Sequence, residues 1–88
     1  MSKVSEFTND NFRVLALLYD NKGKDNIVKF TQQEVADELS LSRVTINKIF
    51  KHFKENGYIT QDKKRIGRYY LTSAGELIVE TIRKTDEI

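Results

Sequence analysis

The stretch from Thr31 to Gly57, TQQEVADELSLSRVTINKIFKHFKENG, decides the fold. It reads as two helices joined by a tight turn. Thr31 and Glu34 have the spacing of a capping box, in which the hydroxyl takes an amide of the first turn and the carboxylate reaches back. Phe30 before the cap and Val35 after it are placed to close as a hydrophobic staple. Val35, Ala36 and Leu39 form the inward stripe of this first, short helix. Ser40-Leu41 is the turn, and Ser42 is a good cap for a second helix. In that helix Ile46, Ile49, Phe50 and Phe53 recur at helical spacing and make one apolar face. Arg43, Asn47, Lys51 and Lys54 fall on the other face. Gly57 supplies the left-handed residue that stops the helix.

Outward from this pair, the elements on both sides are short. A first helix is expected from near Thr8, with Phe7 and Phe12 at the staple positions around its cap. Phe12, Leu15, Ala16 and Tyr19 give it a stripe, with Leu18 beside it. Residues 20–26, DNKGKDN, break the period and read as a loop. Ile27 to Phe30 is β-prone, either a first strand that pairs with a later hairpin or a plain extended linker. Tyr58 to Gln61 and Arg68 to Thr72 are strand-like, around a basic tip in which Gly67 is free to adopt positive φ. Thr72 or Ser73 can cap a last helix. Its apolar positions Leu77, Ile78, Val79 and Ile82 cover more than one face. The surplus is either a dimer contact or the lid of a small core. Met1 to Glu6 and Thr85 to Ile88 read as loose ends. With no repeat and no linker, residues 1–88 form one domain, and 1–6 and 85–88 are expected to be flexible.

The stretch QEVADELSLSRVTINKIFKHFKENGYI resembles the helix-turn-helix of bacterial winged-helix regulators, such as the MarR and catabolite-activator families. The shared pattern has a small residue where the two helices touch, here Ala36. An apolar residue follows in the turn, here Leu41, and Ser42-Arg43 opens the recognition helix. The apolar pair Ile46 and Ile49 follows, and the helix leaves through Gly57-Tyr58-Ile59. One departure is Ser40, at a turn position often held by Gly. The likeness continues through the hairpin, which matches the wing, and into LTSAGE, and so covers roughly residues 8–85. It implies an α+β winged helix-turn-helix in the order α-β-α-α-β-β-α. This is a three-helix core with a small antiparallel sheet, the wing, and a C-terminal helix.

Composition narrows the function. The chain has 88 residues, enough for one small domain. At 39% hydrophobic and 32% charged, it suits a globular fold, not a disordered one. No run is long and apolar enough to cross a membrane, and Met1-Ser2-Lys3 does not open a signal peptide. Without Cys there is no disulfide framework, zinc finger or thiol nucleophile. Together these features point to the cytoplasm. Net charge is only +2, so its distribution matters more than its total. From Arg43 to Tyr70 there are eight Lys and Arg against Glu55 and Asp62, a local balance of +6 that leaves −4 for the flanks. Positive charge concentrated on a helix and an adjoining hairpin is the footprint of a phosphate-binding face. The alternative, for residues 62–68 taken alone, is a solvated charge run.

In helix-turn-helix proteins the N-terminal part of the recognition helix meets base edges in the major groove. The positions that match those used by the resembling families are Ser42, Arg43, Val44, Thr45, Asn47 and Lys48. Arg43 has the planar fork for guanine, Asn47 the donor and acceptor for adenine, and Lys48 a donor for guanine or phosphate. Val44 takes a place that is often polar; it either meets a thymine methyl or is half-buried against the preceding helix. Ser42 and Thr45 hydroxyls, with the helix N-terminus, suit phosphate. Lys51 and Lys54 are backbone contacts or solvated charge. In the wing, Lys63, Lys64, Arg65 and Arg68 can reach the flanking minor groove or backbone. Tyr58, Tyr69 and Tyr70 flank that tip and either pack across the hairpin or stack on single-stranded bases.

The four glycines make no phosphate loop, no cluster has metal-ligand spacing, and the lone His52 has no nucleophile motif near it. Neither an enzyme, a cofactor nor a small-molecule ligand is expected. The expectation is sequence-specific binding of double-stranded DNA by a homodimer that acts as a small transcriptional regulator, a repressor by occupancy. Two alternatives stand beside it. One is a plasmid or phage origin-binding, replication-initiation module. The other is a winged helix used for protein contacts without DNA.

Overall fold

The computed structural model describes residues 10–62, 64 and 68–86, though not the side chain of Asp86. The elements are α1 (Asp10–Asp20), β1 (Ile27–Val28), α2 (Gln32–Leu39), α3 (Arg43–Glu55), β2 (Ile59–Gln61), β3 (Tyr69–Leu71) and α4 (Ser73–Asp86). This is the expected order and the winged-helix architecture: helices around one core, with a three-stranded antiparallel sheet ordered β1-β3-β2 at its edge. The start of α1 near Thr8, the Phe7 staple, the loose residues 1–6 and the wing-tip residues Lys63, Arg65 and Gly67 lie outside the described residues. No described helix is long and apolar enough to cross a membrane.

The caps set the helix boundaries. Thr31 accepts from the Glu34 amide at 3.1 Å, and the Glu34 carboxylate accepts from the Thr31 amide at 3.0 Å, so the capping box closes in both directions. Phe30 is half-buried against the core cluster that holds Val35. α2 ends on Ser40 at φ 56, ψ 42, the left-handed region. The Leu41 amide reaches back to the Ala36 carbonyl at 2.9 Å and that of Ser40 to Asp37 at 3.4 Å, the two bonds of a Schellman ending. α3 ends the same way. Gly57 has φ 74; its amide bonds Lys54 at 3.2 Å, and that of Tyr58 bonds Phe53 at 2.9 Å. The Phe53 and Tyr58 rings meet edge-on at 6.1 Å, closing the apolar contact that accompanies this motif.

Ile46, Ile49, Phe50 and Phe53 are all buried, as their spacing predicts. They meet Val14, Leu15 and Leu18 of α1, Val35 of α2, and Val79 and Ile82 of α4 in one cluster. Burying a side chain of this size contributes about 1.5–3 kcal/mol. This cluster therefore fixes which face of α3 is left outside.

The sheet is shorter than expected. β1 pairs only Ile27 with Tyr70 and Val28 with Tyr69. Lys29 and Phe30 continue as unpaired chain toward the α2 cap, so the strand and linker readings each hold for half of the segment. β2 pairs Ile59, Thr60 and Gln61 with Leu71, Tyr70 and Tyr69. Tyr69 is buried and packs edge-on against Phe50 at 4.8 Å, so it belongs to the core and is not free to stack on bases. At the other end of the sheet, the Thr72 hydroxyl accepts from the Gly75 amide and caps α4. α4 runs through Asp86, two residues into the expected loose tail, and the Thr85 hydroxyl bonds the Thr81 carbonyl at 2.9 Å. Of its apolar residues, Val79 and Ile82 are buried, Ile78 packs partly, and Leu77 faces out. The surplus is thus one exposed leucine.

Candidate nucleic-acid interface

The core that swallows one side of α3 leaves Arg43, Val44, Asn47, Lys48, Lys51 and Lys54 exposed on the other. Val44 is 65% exposed, which removes the reading in which it is half-buried against α2. A shallow open depression is lined by Arg43, Val44, Asn47 and Lys48. These four lie in the first two turns of α3, beside a helix start whose first amides have no partner within the helix.

Ser42 and Thr45 are differently engaged. The Ser42 hydroxyl accepts from the Thr45 amide at 3.0 Å and donates to the Thr45 hydroxyl oxygen at 2.8 Å. Its proton is therefore spent inside the cap, and Thr45 keeps the hydrogen that could face an anion. Thr45 is half-buried at the edge of the row.

Among the described residues, no close ion pair neutralises the charges of this surface. Among the described residues the ion pairs are Arg13–Asp10, Lys22–Glu76 and Arg83–Asp20, none of which uses a residue of α3 or of the hairpin. Lys64 is exposed and Arg68 half-exposed. Asp62 organises the entry to the wing: its carboxylate accepts from the Lys64 amide at 2.9 Å and the Tyr70 hydroxyl at 3.4 Å, and its own amide bonds the Arg68 carbonyl at 3.0 Å. Glu34 is more acidic than an ordinary glutamate. The cause is first the Thr31 backbone hydrogen bond, then the Thr31 hydroxyl, with a smaller pull from Arg68. That last effect puts the wing base within electrostatic reach of the start of α2.

One residue that sequence reasoning missed joins the two halves of the surface. Gln32, at the first position of α2, receives Arg43 Nε at 3.4 Å and Asn47 Nδ2 at 3.3 Å on its carbonyl oxygen. Its amide nitrogen donates to the Tyr69 hydroxyl at 3.1 Å. The base of the wing and two of the candidate readers are therefore one side chain apart. No spacing along the chain marks Gln32, because only the crossing of α2 and α3 brings it there.

Lys63 and Arg65 lie outside the described residues. The remaining candidates sit on α3 or beside the wing, and His52 turns away to bond Asn56 at the far end of the helix.

Residues 12–74 match the model of the Crp-like helix-turn-helix domain. The chain belongs to that family. The Crp-like match takes in most of α1, all of α2, α3 and the sheet, and stops at the second residue of α4. Among solved structures, two of the similar ones are of MepR from Staphylococcus aureus. The MepR–DNA complex is 21% identical, with a TM-score of 0.75 over 97% of this chain and 62% of that one. MepR described as a transcription regulator of the multidrug efflux pump MepA is 23% identical, with a TM-score of 0.77 over 97% of this chain and 64% of that one. The Crp-like chain thus spans a little under two thirds of the length of these proteins and shares their fold. No curated protein sequence matches it significantly.

Proposed function

We propose that this Crp-like domain binds double-stranded DNA and acts in transcriptional regulation, as a repressor that occupies its operator. The observation that carries the reading is the exposed row on α3. Arg43, Val44, Asn47 and Lys48 stand on the outer face of a helix whose other face is fully built into the core. A helix fits the major groove, where each base pair shows a distinct pattern of donors and acceptors. Arg43 takes guanine through its fork, Asn47 takes an adenine edge, and Val44 takes a thymine methyl. Lys48 serves guanine or phosphate, and Lys51 a phosphate further along. Thr45 and the amides at the start of α3 receive a backbone phosphate, and Ser42 holds that start in shape. Lys63, Lys64, Arg65 and Arg68 hold the flanking backbone or minor groove.

The family membership and the likeness to a regulator solved with DNA support this reading. One helix and one wing make few contacts, so a homodimer on a two-fold site is part of the proposal. Selection of bound sequences from random duplex DNA tests the reading directly. The expected result is an enriched motif with a G contacted on one strand, and affinity that falls steeply with salt, about 0.9 in log–log slope per phosphate neutralised. Failure to bind any duplex even at low salt would reject it. Light scattering with and without the selected DNA tests the dimer, and a monomer in both would reject that part.

A further inference from the structure

We infer that Gln32 is a positioning residue for base recognition: it aims Arg43 and Asn47 without itself touching DNA. This inference rests on the reading of α3 as the DNA-reading helix.

The argument begins with donors and acceptors. Arg43 can only donate. Its Nε lies 3.4 Å from one end of the Gln32 amide, so that end must be the oxygen. The Asn47 Nδ2 donates to the same oxygen at 3.3 Å. The other end is then the NH2 group, a donor, and it needs an acceptor. The Tyr69 hydroxyl supplies one at 3.1 Å. Tyr69 is held in the core: the residue is 5% exposed and its ring packs edge-on against Phe50. A fixed core ring therefore orients an amide, and the amide draws two exposed side chains toward one point.

The consequence is specific to these two residues. Long exposed side chains sample many rotamers, and ordering them on binding costs free energy. Arg43 uses Nε for Gln32, which leaves its two terminal nitrogens available for a base edge. Asn47 keeps its carbonyl oxygen and its second amide hydrogen. The Gln32 bonds are long, so they steer these side chains without locking them. Gln32 is half-buried behind the row, at the start of a different helix. Changing it should alter which bases are preferred more than how tightly any duplex is held.

The test uses Gln32→Ala and Tyr69→Phe in the full chain. Tyr69→Phe keeps the ring and removes only the hydroxyl. Affinities are measured for the selected sequence, for single-base variants of it, and for random duplex; thermal melting reports the fold. The expected result is that Gln32→Ala loses about tenfold of its preference for the selected sequence, the scale of a weakened base contact, with random-duplex affinity and its salt slope unchanged. Tyr69→Phe should shift preference in the same direction by less. In the free protein, the Arg43 Nε–H and Asn47 side-chain amide resonances should move in both variants. The inference is overturned if both folded variants keep the wild-type base preference, or if those resonances stay in place. It is also overturned if selected and random affinities fall together, which would make Gln32 a phosphate contact. Should the wild-type protein bind no duplex, the DNA reading itself fails, and the resonances still decide whether Gln32 orders the pair.

Discussion

Ser40 occupies a backbone conformation that costs an L-residue free energy. Its φ of 56 leaves the Cβ against the following carbonyl, and it sits where the resembling families often carry glycine. Ser40→Gly should relieve that strain but enlarge the freedom of the unfolded chain, for a net gain of about 0.5–1 kcal/mol. Urea unfolding measures it, and DNA affinity should not change, since Ser40 lies off the exposed row. Arg43 and Lys51 separate two roles at the same scale. Arg43→Ala should relax preference at one base pair by about 1–3 kcal/mol, whereas Lys51→Ala should weaken all sequences alike. Binding to a panel of single-base variants distinguishes them. The outward placement of both was legible in the sequence, because helical spacing alone keeps Arg43 and Lys51 off the face of Ile46, Ile49 and Phe53. The exposure of Val44 was not, since spacing turns it away from Ile46 and Phe53 but does not say whether the crossing α2 covers it. Gln32 was not legible either, because a link across two helices leaves no trace in local spacing.

The elements were readable where chemistry is local. Thr31 and Glu34 announced the start of α2, and Gly57 the end of α3, because each rests on bonds within one turn. Ile27–Phe30 was readable only in part: whether a residue joins a sheet depends on the partner strand, and β3 offers partners to just Ile27 and Val28. The capping box yields a test with a definite sign. Thr31→Ala should cost about 0.5–2 kcal/mol at neutral pH. Glu34 has a folded pKa below its ordinary value, so its contribution is complete above the ordinary glutamate range. It is lost as pH falls through the lower folded value. The gap between Thr31→Ala and the wild type should therefore narrow in acid, which a series of urea midpoints against pH would detect. A constant gap would mean that the Thr31 hydroxyl has no share in holding the Glu34 carboxylate, which the Thr31 amide would then hold alone.

In the whole molecule, α1 and α4 are fastened at their far ends. Arg83 makes two bonds of 2.8 Å to the Asp20 carboxylate, and the Tyr19 hydroxyl donates to Glu80 at 2.8 Å. The Arg83 hydrogen bond holds the Asp20 carboxyl below its usual range. Asp20→Asn should cost about 0.2–1 kcal/mol at neutral pH, for both side chains are largely exposed. That cost is present above the ordinary aspartate pKa and fades as pH falls through the lower folded value. It should also fade with added salt, and unfolding midpoints across salt and pH check both. None of this pairing could be read from sequence, since 63 residues separate Asp20 from Arg83 and 61 separate Tyr19 from Glu80. At the near end of α4 the contact is of another kind. A Cβ on Gly75 would collide with the Tyr58 carbonyl and come within 2.8 Å of Leu71 Cδ1. The Thr72 amide and hydroxyl bond that same carbonyl at 3.0 and 2.9 Å. Gly75→Ala should cost about 1–3 kcal/mol by overpacking, measured by thermal melting.

That joint also leaves the last helix without a cushion. With no side chain between Gly75 and the Tyr58 carbonyl, the start of α4 sits backbone to backbone on the segment by which the chain leaves α3. Any side chain grown there must lift the one off the other.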